Sequence, residues 1–421
     1  MVSTRESLKA WLRLSLTPGV GNITARALIQ AFGLPESIFQ RSAAELQALV
    51  SPAVSRQLCR EPEGLEDTLN ITWEWLHKPA PRHASTELHK RLLTLADTDY
   101  PSSLMLTPDP PCLLYVMGQT QHLHWLSPAP FKAPSAVAVV GSRNPTPQGR
   151  LNAHEFASTL AQAGLTVISG LALGVDTEAH CGALEGGSLT NPLHTVAVVG
   201  TGLDRVYPHQ NHALALNIAT NGLLISEYPL NTPPITANFP KRNRLIAGLS
   251  QGCLVVEAAT RSGSLITAKQ AIDMGKEVFA IPGSIHTTVA KGCHDLIKQG
   301  AKLVDCAQDI LDELKDLPVM SESLRGPSLS MAGTEGTAIQ GPGLDSDEQN
   351  SLSLQVIDHL GHDPVGLDEL QIRSGLPTAQ LQAELFQLEL SGALGRLPGG
   401  LYQKLKRPLP RHTHNAPSHP V

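Results

Sequence analysis

Seven short apolar runs, each followed by a stretch of helical length, constrain this chain more than any other feature. They read AVAVVG (136–141), TVISG (166–170), TVAVVG (195–200), GLLISE (222–227), CLVVEA (253–258), EVFAIPG (277–283) and AKLVD (301–305). Between them lie stretches such as LNAHEFASTLAQAG (151–164) and SLITAKQAIDMG (264–275), and the runs start roughly 25–30 residues apart, the length of one strand-plus-helix unit. A strand that is apolar throughout needs cover on both faces, and intervening helices supply it, so the fold class is α/β with a parallel sheet. Ligands of such sheets sit beyond the carboxyl ends of the strands. The residues that follow each run are therefore the first place to look for function.

At 421 residues the chain is too long for one core. Composition breaks at KPAPRHAS (78–85) and along the Ser/Gly/Pro-rich stretch from Pro318 to Asn350 divide it. The expected parts are a helical segment over 1–78, the α/β domain over 86–316, a disordered linker over 317–350, a small unit over 351–404 and a basic, His-rich tail over 405–421. In the first segment LKAWLRLSL, LTPGVGNITARALIQAFG and SIFQRSAAELQALV read as helices. The Pro-Gly-Val-Gly turn looks like one helix-hairpin-helix unit, whose backbone N–H groups can hold a phosphate. A small helical interaction module is the simpler reading, because Arg26 alone supplies charge nearby. In the small unit three helices and the strand–turn–strand ALGRLPGGLYQK suggest a winged helix. Its would-be recognition helix, 378–391, holds Glu384 and Glu389 with no Lys or Arg, which favours protein contact over DNA readout. The tail, with Lys406, Arg407 and Arg411, reads as an unstructured solubilising segment rather than a metal site.

No apolar stretch approaches the ~18 residues of a membrane span. The N-terminal MVSTRESLKAWLRLSL lacks the apolar block of a signal peptide, and the six cysteines form no C-x-x-C pair. A cytoplasmic protein with no disulfide scaffold and no zinc module is expected.

The first strand ends in Gly141-Ser142-Arg143-Asn144 and opens toward a helix. A hydroxyl, a guanidinium and a helix start after a glycine turn fit a phosphate. Gly200 and Gly202 begin a G-x-G-x-x-G match that fails at Arg205, and no G-x-x-x-x-G-K-[ST] occurs, so neither the dinucleotide fingerprint nor a P-loop is present. Asp176 and His180, four apart at a helix start, read more readily as a cap and a local hydrogen bond than as an acid–base pair. Glu257, Arg261, Ser262, Ser264 and Thr267 at another strand end fit either a ribose or phosphate contact or a helix cap. The strongest local signal is Asn238-Phe239-Pro240-Lys241-Arg242-Asn243-Arg244. No acidic residue lies between Glu227 and Glu257, and a second acid-free interval from Pro110 to His154 holds Lys132, Arg143 and Arg150. With a net charge of −6 the chain does not coat nucleic acid by bulk charge, but a basic cleft on an acidic body is the footprint of a nucleic-acid or polyphosphate site. Arg244 has an alternative, pairing with Glu227 or Glu257 inside the fold. Aromatics at 4% rule out extensive base-stacking platforms.

The segments VAVVGSRNPTPQG, ISGLALGVDTEAHCGAL, TVAVVGTGLDRVYPHQN, GLLISEYPL, FPKRNRLIAGLSQGCLVVEAATRSGSLITAKQA and VFAIPGSI follow one another over about 150 residues. On these motifs, with the lead-in at 95–118 and the C-terminal unit, the chain resembles the DNA-processing protein A (DprA/Smf) family. The resemblance implies an extended Rossmann-like parallel sheet that binds single-stranded DNA. Flanking it would be an N-terminal helical (helix-hairpin-helix or SAM-like) domain and a C-terminal winged-helix domain. It also implies a homodimer, the RecA recombinase as partner, protection of incoming strands during natural transformation, and no cofactor. By position, Ser142 and Arg143 match the family's phosphate-gripping loop. Lys241, Arg242 and Arg244 match its basic FP-x-RNR element, in which Phe239 and Asn243 also stand. Gly170, Gly200 and Gly202 match its close-approach glycines. Two departures are the insertion-like SLTNPLH (188–194) and His294, where the family usually has Asn. The alternative function is a phosphoribohydrolase of the lysine-decarboxylase-like fold. Its PGG-x-GT-x-x-E element is replaced here by EAATRSGSLITAKQA, without the glycine pair or the final glutamate.

Overall fold

In the computed structural model, residues 4–79, 87–123, 136–315 apart from 188–190 and 192, and 356–405 apart from 358, 361–363, 398 and 399 are described. The expected linkers and tail, Lys132 and most of the 188–194 segment lie outside the described residues. The chain divides into a larger compact unit, residues 1–144 with 153–324, and a smaller one that holds the C-terminal segment.

Six helices open the larger unit: α1 (Arg5–Leu16), α2 (Asn22–Phe32), α3 (Pro35–Ile38), α4 (Ala43–Leu46), α5 (Pro52–Leu58) and α6 (Leu65–His77). Local chemistry starts several of them. Thr4 caps α1 by accepting from the Ser7 N–H, and Ser42 with Glu45 forms a capping box on α4. Leu8, Trp11 and Leu12 of α1 meet Leu65 and Leu69 of α6 in one buried cluster, which continues onto Leu113 and Tyr115 of the sheet.

The sheet elements follow in the order β1 (His89–Thr94), α7 (Ser102–Met105), β2 (Leu113–Gly118), α8 (Thr120–Leu123), β3 (Ala136–Val140), α9 (Pro147–Gln162), β4 (Thr166–Ser169), α10 (Val175–Glu185) and β5 (Thr195–Val198). They continue with α11 (His212–Asn221), β6 (Gly222–Ser226), α12 (Asn238–Leu249), β7 (Gly252–Val255), α13 (Ser264–Asp273), β8 (Glu277–Ala280), α14 (Lys291–Lys298), β9 (Lys302–Leu303) and α15 (Ala307–Lys315). The nine strands lie in the order β1-β2-β6-β5-β4-β3-β7-β8-β9. β3 to β9 are the seven apolar runs, all parallel, and β1 and β2 extend the sheet as antiparallel strands, with Tyr115 opposite Ser226.

β3 shows why the runs are apolar throughout. Val137 and Val139 pack with Phe156 and Leu160 of α9 on one face, while Ala138 and Val140 pack with Leu245 and Ile246 of α12 on the other. From β3 the chain moves outward through β4, β5 and β6, and α12 then carries it back to β7 on β3's other side. β3 and β7 therefore flank the topological switch point, where this architecture opens a crevice. α12 is held at its far end by half-buried Lys276, whose ammonium donates to the carbonyls of Ala247, Gly248 and Ser250.

The smaller unit contains β10 (Val365–Gly366), α16 (Leu367–Ser374), α17 (Thr378–Leu390), β11 (Leu394–Leu397) and β12 (Leu401–Lys404). Its three strands pair in the order β10-β12-β11, and Leu370, Leu381, Leu385 and Leu394 form the core of a winged helix. Among the described residues no helix is long and apolar enough to cross a membrane.

Candidate nucleic-acid interface

A 590 Å³ cleft opens at the switch point, lined by the loops after β3, β4 and β7 and by the first turns of α12. The β3 loop is built to stay close to the sheet. The Val175 N–H donates to the Ser142 carbonyl at 3.1 Å, and Ser142 Oγ accepts from the Asn144 N–H at 3.1 Å. Gly174 has φ +84°, and a Cβ there would lie 2.5 Å from the Ser142 and Arg143 carbonyl oxygens, so this crossing requires glycine. Arg143 is left exposed, with its guanidinium carbon 5.7 Å from the centre of the half-buried Phe239 ring. From the β7 side Arg261 is exposed, and Ser262 and Thr267 bring hydroxyls to the same cleft. Ser262 Oγ lies 2.7 Å from Ser264 Oγ, so the β7 loop both faces the cleft and ties down the start of α13.

The FPKRNR element is helical, and its three cations go to three different places. Lys241 is exposed and lines a neighbouring groove that meets the cleft at Pro240. Arg242 turns inward, is 4% exposed, and donates to the carbonyl oxygens of Gly170 (2.6 Å) and Val198. Burial lowers it to about 10, leaving it cationic at neutral pH, and it faces the buried Asp176 carboxylate. Arg244 turns sideways and pairs with Glu227 and, at 3.0 Å, with Asp109. The direct phosphate role expected for Arg242 and Arg244 is therefore corrected. Arg242 ties the ends of β4 and β5 to α12, and Arg244 is neutralised by the Glu227 pairing that the sequence offered as its alternative. Asn243 lines the cleft while its amide donates to the Gly263 carbonyl at 3.3 Å, linking α12 to the start of α13.

The three expected close-approach glycines admit the protein's own groups rather than leaving room for a ligand. A Cβ on Gly170 would run into the Arg242 guanidinium, one on Gly200 would lie 3.1 Å from the Phe239 ring, and one on Gly202 would meet Asp204 and the Pro229 carbonyl. Asp176 and His180 do not form an acid–base pair. Asp176 accepts from the Gly170 and Ala172 N–H groups at 3.2 and 3.3 Å, and burial raises its carboxyl. His180 Nδ1 lies 2.7 Å from the Thr195 hydroxyl, and burial pushes this histidine down to about 3, so it is neutral. The Pro-Gly-Val-Gly turn offers no open cation either, since Arg26 donates to the Thr107 carbonyl at 3.1 Å and Asn22 at the start of α2 faces Glu227.

A sequence model described as "DNA recombination-mediator protein A" matches residues 91–315, and one described as "DprA winged helix domain" matches 341–400. The chain belongs to the DprA/Smf family. Protein Smf of Synechocystis is 32% identical over 408 residues, covering 94% of this chain and 98% of that protein. The DNA processing protein DprA of Streptococcus pneumoniae is 43% identical over 234 residues, covering 55% of this chain and 78% of that one. The solved structure of the S. pneumoniae DprA is similar at a TM-score of 0.59 and 33% identity, covering 74% of this chain and 99% of that chain.

Two cleft residues of this DprA-family protein were not among those expected to bind DNA. Arg261 was visible only as part of a strand-end motif with two equal readings. Tyr207 stands in VYPHQN, where nothing about the spacing distinguishes a cleft-lining ring from a core one, and it is 46% exposed. The sign of the cleft follows from this inventory. Among the described residues that line it, Asp176 is the one acidic residue, buried and already faced by Arg242, while Arg143 and Arg261 reach solvent.

Proposed function

We propose that this protein binds single-stranded DNA in the switch-point cleft and acts as a recombination mediator. In this role it protects incoming strands during natural transformation and passes them to the RecA recombinase. The observation that carries the reading is the pair of exposed guanidinium groups in the cleft, Arg143 and Arg261, with exposed Lys241 just beyond Pro240, around a floor with no uncompensated carboxylate. Ser142 contributes a hydroxyl beside Arg143, and Phe239 and Asn243 form part of the wall. Membership of a family described as DNA recombination-mediator supports the recombination role, and a homodimer that works with RecA and without a cofactor is part of the same proposal.

Fluorescence anisotropy with a labelled single-stranded oligonucleotide and duplex competitor tests the site. Wild type is expected to prefer the single strand, and Arg143→Glu with Lys241→Glu to weaken binding at least ~10-fold on every sequence. Binding that ignores the double substitution would move attention to release of free base from nucleoside monophosphates. RecA filament assembly on the bound strand, measured with and without the protein, tests the mediator step.

A further inference from the structure

Cations that grip phosphates do not by themselves separate a single strand from a duplex, because both present a charged backbone. What a single strand adds is the open face of an unstacked base, and an aromatic ring is the side chain that reads it. Two aromatic side chains line the cleft, Tyr207 and Phe239, with ring centres 5.6 Å apart and planes tilted by 40°. Phe239 is already engaged, packed against Gly200 and lying under the Arg143 guanidinium. Tyr207 packs on Phe239 and still leaves 46% of its surface to solvent, inside a cleft whose other exposed lining residues are Arg143, Arg261, Thr236, Gly263, Pro234 and Pro240.

We propose that Tyr207 is the platform on which an unpaired base of the bound strand stacks, and that this contact gives the protein its preference for single-stranded over duplex DNA. The inference rests on the single-strand reading of the cleft. Arg143 and Arg261 hold phosphates while the base between them turns in and lies on the tyrosine ring. A duplex base cannot do so without leaving its stack. Every base has a π face, so the contact does not depend on sequence, and stacking releases no counterions, so it does not depend on salt.

That combination gives Tyr207 a signature that a merely structural residue lacks. Anisotropy would be measured with a single strand, a duplex of equal length, and a single strand carrying abasic tetrahydrofuran units. Base–aromatic stacking is worth about 1–3 kcal/mol by alanine substitution, so Tyr207→Ala should weaken single-strand binding about tenfold. The salt slope should be unchanged and duplex affinity should move less than about twofold. Tyr207→Trp should restore the preference. The abasic strand should bind wild type and Tyr207→Ala alike, because the base that the ring would carry is missing. Equal losses on all three probes, or an additive loss on the abasic strand, would make Tyr207 structural and overturn the inference. If Arg143→Glu abolishes binding while Tyr207→Ala keeps the full single-strand preference, the stacking inference falls and the cleft stands. If wild type does not bind single strands at all, the cleft reading falls first. Tyr207→Trp fills the same space, so the test survives even if the alanine variant folds poorly.

Discussion

Two crevices meet at Pro240, and the smaller is the better candidate for function. The larger, a 720 Å³ groove, is lined by residues of the N-terminal helices, β2 and α12, and it holds Lys241 and Arg244. The smaller, at 590 Å³, holds Arg143, Arg242 and Arg261. In the groove Glu227 and Asp109 match the arginine, and burial raises Glu227 while Arg244 and Asn22 oppose the rise. In the cleft the buried arginine is matched by the buried Asp176, and the remaining two are open. The two crevices differ less in volume or in number of arginines than in how these are matched: the open arginines lie in the cleft, and the exposed cation of the groove is Lys241.

The sharpest way to break this distinction is Arg242→Leu. Its guanidinium serves two buried carbonyls and a buried carboxylate, and removing one partner of such an arrangement leaves an uncompensated charge. A loss of about 3–5 kcal/mol of stability is expected from urea unfolding. A loss under about 1 kcal/mol would mean that Asp176 finds another partner and that Arg242 is not structural. Next in size is Arg244→Met. Glu227, with only 10% of its side chain exposed, would keep just the 3.5 Å contact from Asn22. The expected cost is about 2–4 kcal/mol of stability, with single-strand affinity of the folded variant within about twofold of wild type. The reverse pattern, intact stability and a large loss of binding, would make the groove the binding surface.

Much of the sheet was legible because its physics is local to each run. A strand buried on both faces has to be apolar or to satisfy its hydroxyls on backbone, as AVAVV and TVIS do, and β2 (LLYVMG) shares that full burial although it pairs antiparallel. β1 was not legible. HKRLLT begins with three polar residues and is buried only toward its end, so its pairing with β2 depends on the α6 helix that covers it. The basic cluster was legible in the sequence, but not the direction that each of its side chains takes. Lys241, Arg242 and Arg244 fall within four positions, and in a strand-end loop all three would reach solvent. In α12 each residue turns the side chain by about 100°, so Lys241 faces water, Arg242 the ends of β4 and β5, and Arg244 the carboxylates of Glu227 and Asp109. Charge density along a sequence is visible without its direction, and direction decides which of the three reaches solvent.

That difference also has the smallest and most specific consequence. Counting Arg143, Lys241, Arg242 and Arg244 as phosphate contacts gives a logarithmic salt slope near −3, at roughly −0.7 per contact on a single strand. Withdrawing Arg242 and Arg244 and adding Arg261 leaves Arg143, Lys241 and Arg261, hence a slope near −2 for each bound site. Anisotropy titrations across salt concentrations separate the two values. Arg261→Ala should lower the slope further, to about −1.4, without altering the fold, because its side chain is exposed. A wild-type slope of −3 that drops in a partially destabilised Arg244→Met variant would show the groove arginine giving up its carboxylates to reach the DNA, and the two crevices would then act as one site.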